Sequence, residues 1–479
     1  MRIIHVAAEC YPAAKAGGLG DVAGALPKYL QAAGHETAVI IPGYHTPWIL
    51  SQSWKEVFTT NVRMHNFQVV CRVMECLNDN LGYMLFSIDI PGFFDRPGIY
   101  ADPRSGFAYN DEVERSIVFQ QAALKFIQHM GGIDIIHCHD HHTGLIPFMM
   151  KHCPEYRSLS QIPSVFTIHN GQYHGSFSWE KSALLPWYDA NSRGLLDWNN
   201  AVNPLATGIK CCWRLTTVSN GYLYELHHQA AGLESLIRQE YLKSAGIVNG
   251  IDTQVWNPKS DSMIAYKLKD NPNLFKEKNR QELKKHFKIK DGLPLITFIG
   301  RLVYEKGVDL LPEAIFRFVS EGGKASFVIL GTGDPGIRDA ILGIQKHLDG
   351  FVDTSIQYNE TLSHQLYAGS DFLIMPSRVE PCGLNQLYSF RYGTIPIVRN
   401  TGGLSETVID VSEENGNGLK FNDAHPAAIA QSFHRAEALY KNKELMLQLR
   451  QRILNLDFSW ENAAEHYIHI YYSLKNPSI

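Results

Sequence analysis

The sequence predicts an α/β protein made of two Rossmann-like, doubly wound domains. Three observations carry that prediction. At 479 residues the chain is longer than one hydrophobic core organises, and two domains of roughly 200 residues each are the natural division. Short apolar runs rich in β-branched residues recur without polar alternation, as parallel strands covered on both faces require. A helix-like stretch follows each run, and that alternation builds parallel sheets.

The first strands are read at Arg2–Ala8, Thr37–Ile41, Ile133–Cys138, Ser164–Ile168 and Leu215–Val218. A second set lies at Leu295–Ile299, Ser326–Leu330, Asp371–Met375 and Ile395–Val398. Between the sets, Asn249-Gly250 is a turn signal and Pro258 a breaker, so a hinge is placed over Ile247–Pro258. The polar stretch Lys259–Asn279 is expected on the surface. In the tail, Ala464, Tyr467, Ile468 and Tyr471 share a helical stripe within Trp460–Leu474.

Composition narrows the function classes. Hydrophobic residues make up 45% and charged residues 19%, as in ordinary globular proteins. A net charge of −4 gives no basic surplus for a nucleic acid partner. The apolar run at the N-terminus is too short for a signal peptide or a membrane span. The eight cysteines are scattered without a C-x-x-C pair, which reads as reduced thiols and a cytoplasmic location.

Ligands of open α/β sheets bind beyond the carboxyl ends of the strands. In the first half those ends carry Lys15, Gly17, Gly18 and Asp21, then His139 to His142 with Asp140, then His169 and Asn170, then Ser219 and Asn220. In the second half they carry Arg301 and Lys306, Gly331 and Gly333, and Ser377, Arg378 and Glu380. The two sets are expected to line facing edges of one deep cleft.

Two segments match the dinucleotide fingerprint G-x-G-x-x-G/A, Gly18 to Ala23 and Gly331 to Gly336. A loop with Pro12 and Lys15 separates the first from its strand. The second strand runs into Pro42-Gly43 with no acidic residue for a ribose hydroxyl, which disfavours a dehydrogenase. At Gly331, a turn that lets helix and strand pack closely explains the glycines as well as ligand contact does. Lys15 beside the glycine-rich turn suits a diphosphate, although an ordinary surface lysine fits too.

Arg301 and Lys306 can clamp both phosphates of a nucleoside diphosphate and neutralise the leaving group; a solvated pair is the alternative. Glu380 precedes a proline and a glycine turn, and a helix start is read near Leu384. Free N–H groups at that helix start would favour phosphate oxygens. Glu380 would offer negative charge to an oxocarbenium-like sugar, or simply match the helix dipole. The Cys382 side chain reads as a small buried filler rather than a nucleophile.

The run His137-Cys138-His139-Asp140-His141-His142 invites a metal. Alternate side chains of a strand point opposite ways, so these cannot all converge, and no helical H-E-x-x-H is present. Sugar hydrogen bonding by Asp140 and nearby histidines is the better reading. Neither a metal nor a cofactor is expected. Tyr100, Tyr109, Tyr173, Trp179 and Trp187 are candidates for stacking on sugar rings.

Together these segments resemble the bacterial glycogen synthase and plant starch synthase family over nearly the whole chain. The landmarks are Lys15 to Val22, Asp95 to Gly98, His139-Asp140, Thr167 to Asn170, Thr217 to Ser219, Asn249 to Asp252, Gly300-Arg301, Glu305 to Gly307, Pro376 to Leu384 and Thr401 to Leu404. The resemblance implies a GT-B fold: residues 1–248 as an acceptor-side domain, 249–457 as a nucleotide-sugar domain, and 458–479 as a helix crossing back to the first. It implies glucose transfer from ADP-glucose to the non-reducing end of an α-1,4-glucan, with retention and without a metal. By position, Lys15, Arg301 and Lys306 would hold the diphosphate and Tyr358 would stack on the base. Asp21, Asp140, His169, Asn249 and Glu380 would surround the glucose and the acceptor. The alternative is a related GT-B enzyme using UDP-glucose or a small acceptor. The chain departs from the family pattern at His141, where tryptophan is usual, over Asn170 to Gly175, and at Asn385, Glu406 and Thr207.

Overall fold

The computed structural model describes residues 1–102 and 105–475, which fall into two compact units. The first unit holds Met1–Val218, Leu223–Ile247 and the tail from Trp460; the second holds Ser219–Tyr222 and Val248–Ser459. No helix among the described residues is long and apolar enough to cross a membrane.

The first unit contains β1 (Arg2–Val6), β2 (Glu36–Pro42), β3 (Trp54–Met64), β4 (Phe67–Cys76), β5 (Met84–Asp89), β6 (Ile135–His139) and β7 (Ser164–Ile168). A separate short pair, β8 (Asp197–Trp198) and β9 (Ala201–Val202), precedes β10 (Arg214–Thr217) and β11 (Ser244–Gly246). The main sheet runs β11-β10-β7-β6-β1-β2-β5-β4-β3. It is parallel from β11 to β5, and β4 and β3 add an antiparallel ribbon. The chain order reverses between β1 and β6. That switch point is where neighbouring loops diverge and leave room for a ligand.

Helix Gly18–Ala32 packs against the closing helix Trp460–Lys475. Val22, Leu26, Tyr29 and Leu30 meet Trp460, Ala463, Ala464, Tyr467 and Tyr471 in one apolar cluster. Each large side chain sealed there contributes about 1.5–3 kcal/mol.

The second unit contains β12 (Leu295–Ile299), β13 (Ser326–Leu330), β14 (Val352–Ser355), β15 (Phe372–Met375), β16 (Ile395–Arg399) and β17 (Leu419–Phe421). Its sheet is wholly parallel, in the order β14-β13-β12-β15-β16-β17. This is the doubly wound Rossmann order, with its switch point between β12 and β15.

Two features differ from expectation. The ribbon Trp54–Cys76 carries no continuous apolar run, because its strands mix exposed and buried residues, and it is absent from the strands expected from sequence. The segment Lys259–Asn279 is a surface stretch only in part, since exposed residues alternate there with buried ones. Asp261, Phe275, Lys276 and Asn279 are buried. Asp261 Oδ2 accepts from the Tyr392 hydroxyl at 2.5 Å and lies 2.8 Å from His364 Nδ1. Lys276 donates to the Tyr367 carbonyl at 2.7 Å. Polar side chains enter a core when partners wait there, and composition alone does not show those partners.

Candidate active site

In the first unit the site begins with Glu9, just beyond β1 and buried. Its Oε2 accepts the backbone N–H groups of Ala16 at 2.6 Å and Gly17 at 2.8 Å, and its Oε1 accepts the Tyr100 hydroxyl at 2.6 Å. Three donors on one carboxylate make its burial tolerable and pin the loop that leads into the helix at Gly18. Lys15 Nζ pairs with Asp21 Oδ1 at 2.6 Å, and both side chains stay solvent-accessible. A Cβ on Gly17 or Gly18 would meet nothing within 4 Å, so a ligand can reach this backbone. The second glycine-rich match is the opposite case. A Cβ on Gly331 would lie 1.9 Å from the Gly300 carbonyl oxygen, and one on Gly333 would lie 2.3 Å from that of Leu302. Those glycines serve the packing of adjacent loops.

Across the switch point, Asp140 follows β6 with a φ of 57°, a conformation that costs energy in a residue other than glycine. Its Oδ1 accepts the N–H of His169 at 2.7 Å and of Asn170 at 3.4 Å. Burial pushes the Asp140 carboxyl up to about 6 and the His169 imidazole down to about 3. His169 Nε2 lies 3.0 Å from His139 Nδ1.

The histidine run divides as strand geometry requires. His137 and His139 share a face with His5 of β1 and come close enough to suggest an ion site. Both His137 nitrogens are already engaged, however, with the Tyr471 hydroxyl at 2.8 Å and the Thr167 hydroxyl at 2.6 Å. His137 therefore has no free lone pair for a metal. His141 and His142 stack on each other at 3.7 Å, with Tyr100 on His142 at 5.0 Å and Glu112 3.9 Å from His141. Gly175 has a φ of 65°, and a Cβ there would fall 2.5 Å from the His141 ring, so the loop needs glycine where it passes that ring.

In the second unit, Lys306 follows β12 and Glu380 follows β15. Lys306 Nζ lies 2.7 Å from both Glu380 oxygens, and the Ser377 hydroxyl donates to Oε2 at 2.9 Å. Glu380 is only 6% exposed. Arg301 is open to solvent, with Glu305 4.0 Å away. Asn249 donates its N–H to Cys382 Sγ at 3.4 Å. Burial pushes the Cys382 thiol up to about 12, which fits a filler and not a nucleophile. Asn249 Oδ1 is sealed without a partner among the described residues. Leu384 caps helix Asn385–Arg391, and Asn385 donates to the Ile299 carbonyl at 2.6 Å, tying the helix start to the end of β12. Gly402 has a φ of 46°, and a Cβ there would lie 2.0 Å from the Glu380 carbonyl oxygen, so glycine is required for the Glu380 loop to sit where it does. Tyr358, 82% exposed, stands beyond β14.

Ser219 and Asn220 follow the carboxyl end of β10, as expected, and group with the second unit. Ser219 donates to the Pro381 carbonyl at 2.6 Å, and Glu406 Oε2 accepts the N–H groups of Asn220 at 2.6 Å and Gly221 at 3.1 Å.

Lys15, Gly18, Asp21, Asp140 and His169 thus gather at the β1/β6 switch point. Arg301, Lys306, Glu380, Cys382, Gly383 and Leu384 gather at β12/β15, with Asn249 joined through Cys382. Glu9 is the group that sequence reading missed. Its signal is a lone acid between an apolar strand and a glycine-rich turn.

Known proteins share this sequence and fold over nearly the whole chain. Residues 2–239 match the starch synthase catalytic domain family, and residues 279–453 match glycosyl transferases group 1. A glycogen synthase of Flavobacterium johnsoniae is 44% identical over 475 residues, covering 98% of each chain. A glycogen synthase of Streptococcus pneumoniae is 34% identical over 490 residues, covering 99% of this chain and 100% of its own. The catalytic domain of starch synthase IV from Arabidopsis thaliana, solved bound to ADP and acarbose, superposes with a TM-score of 0.85 at 31% identity, covering 98% of this chain and 99% of its own.

Proposed function

The chain belongs to the glycogen synthase family of GT-B glycosyltransferases, and from that premise we propose that it transfers glucose from ADP-glucose to the non-reducing end of an α-1,4-glucan, retaining configuration without a metal. The observation that carries the reading is the Lys306–Glu380 pair at the second switch point. It offers a partly buried cation, beside the solvent-exposed cation of Arg301, of the kind that neutralises a leaving diphosphate, and a buried anion of the kind that stabilises a glucosyl cation. The ADP held by the Arabidopsis relative supports an adenosine diphosphate donor here.

In this reading Lys15, Arg301 and Lys306 hold the diphosphate, assisted by backbone N–H groups at Gly383 and Leu384, and Tyr358 stacks on the base. Asp21, Asp140, His169 and Asn249 hold the sugar and the acceptor. Glu380 is a poor nucleophile, because Lys306 occupies both of its oxygens and Ser377 one of them. Retention then follows from attack on the face the phosphate leaves. The bond from C1 to the phosphate oxygen breaks, the bond from C1 to the acceptor oxygen forms, and the acceptor's proton passes to the departing phosphate.

The test is glucose incorporation into glycogen by purified protein, with ADP-glucose and UDP-glucose side by side and EDTA present. Transfer from ADP-glucose that survives EDTA is expected. Transfer from UDP-glucose alone would reassign the donor, loss with EDTA would refute the metal-free route, and no transfer from either would overturn the glucan assignment. A trapped glucosyl adduct on Glu380 would replace front-face attack with double displacement.

A further inference from the structure

A continuous chain of buried histidines runs into the first half of the site. His5 on β1 pairs in register with His137 on β6, and the two-residue period of a strand puts His139 on the same side of the sheet. His5 Nδ1 lies 3.1 Å from His139 Nε2, and His139 Nδ1 lies 3.0 Å from His169 Nε2. His5 and His139 are fully buried and His169 nearly so. Burial holds all three rings far below their usual pKa, so at neutral pH each carries one proton.

Two nitrogen-to-nitrogen contacts among three neutral rings permit only two proton arrangements. If His139 is protonated on Nδ1 it donates to His169, and His5 must donate from its own Nδ1. His169 then carries its proton on Nδ1. If His139 is protonated on Nε2, every direction reverses, and His5 carries its proton on Nε2. The far end of the chain decides between them. His5 Nε2 is sealed and has no partner among the described residues. An orphaned buried N–H is the rarer and costlier defect, whereas a bare ring nitrogen is a weak acceptor left idle. The Nδ1 arrangement is therefore favoured. At its open end, His169 Nδ1 is not among the sealed, unpartnered atoms.

We propose that His5 and His139 are positioning residues that hold His169 in the Nδ1–H tautomer, so that it offers a donor, not an acceptor, to a hydroxyl oxygen of the transferred sugar. The inference rests on the sugar lying at His169, as in the proposed function. The hydrogen bond at one ring nitrogen fixes which nitrogen carries the proton, and the wrong tautomer is costly in catalysis.

Nitrogen NMR of protein labelled with 15N-histidine reads the tautomers, with His169 assigned by His169→Gln and through-bond correlations. Protonated Nδ1 on all three rings in the unaltered protein is expected, and an Nε2–H at His169 overturns the proposal. That measurement needs neither His5 nor His139 replaced. In His139→Leu, His169 loses its partner; the expected result is mixed tautomers and kcat lower by roughly tenfold or more, with KM for the nucleotide sugar within about twofold. A single Nδ1–H form of His169 in folded His139→Leu also overturns it. If the unaltered protein makes no glucan, the functional reading falls, while the tautomer spectrum still decides whether the chain sets His169.

Discussion

Replacing Lys306 with alanine tests whether the switch-point pair of the second unit is structural, functional or both. Glu380 is 6% exposed and its two oxygens sit 2.7 Å from Lys306 Nζ. Removing one member of a buried pair strands the other charge, at about 3–5 kcal/mol for a fully sealed site. The Lys306 side chain is 27% exposed, so water can reach the vacated space and the cost falls to about 2–3 kcal/mol. Adding Glu380→Gln removes the stranded charge and leaves the loss of ordinary hydrogen bonds, about 1 kcal/mol. With Glu380→Gln alone costing about 1 kcal/mol for the same hydrogen bonds, a double-mutant cycle from urea unfolding, followed by circular dichroism and tryptophan fluorescence, should show a coupling of about 2–3 kcal/mol. Activity should not follow stability. Both Lys306→Ala and the double variant lose a leaving-group cation and fall about 100- to 1000-fold in kcat. Lys306→Ala within about 0.5 kcal/mol of the unaltered protein would refute the stranded-charge argument. Recovery of transfer in the double variant would refute the diphosphate role of Lys306.

Three further outcomes follow from other contacts. Glu9→Leu removes the acceptor that the loop N–H groups of Ala16 and Gly17 use, so the Lys15 loop should loosen by about 1–3 kcal/mol, seen as a raised KM for the nucleotide sugar and faster proteolysis near Lys15; an unchanged KM would show the loop holds without it. The Cys382 thiol, buried and raised to about 12, should resist iodoacetamide at pH 8 with activity intact, and inactivation accompanied by Cys382 labelling in mass spectra would contradict the filler role. Acid should destabilise the fold: His5 and His169 titrate near 3 folded against 6.5 unfolded, so the unfolded chain binds more protons below pH 6.5 and each contributes a loss of about 2 kcal/mol by pH 5. Asp140, raised from 3.8 to about 6, works the other way and returns about 1.4 kcal/mol over the same interval, leaving a net loss of about 2–3 kcal/mol. A urea midpoint as high at pH 5 as at pH 7 would rule this out.

The sequence by itself determined the strand runs on both sides of the hinge, because strands covered on two faces have no polar positions and their apolar runs are local signals. It also determined the candidates at the strand ends, since Lys15, Asp140, His169, Arg301, Lys306 and Glu380 are chemistry-bearing residues at positions the topology leaves open. Only the tertiary structure decided which of them are partnered. Nothing local says that Glu380 meets Lys306, 74 positions away, or that Ser219 and Asn220 follow a strand of one unit yet pack in the other. The glycine-rich segments at Gly18 and Gly331 look alike as strings, and they part only when neighbouring backbone fills the space beside one and leaves the other open. The burial of Asp261 and Lys276 was invisible for the same reason: a polar residue's place depends on whether distant groups can satisfy it. The histidine chain needs three segments brought side by side, and hydrogen-bond partners from separate strands exist only once the sheet has set their register.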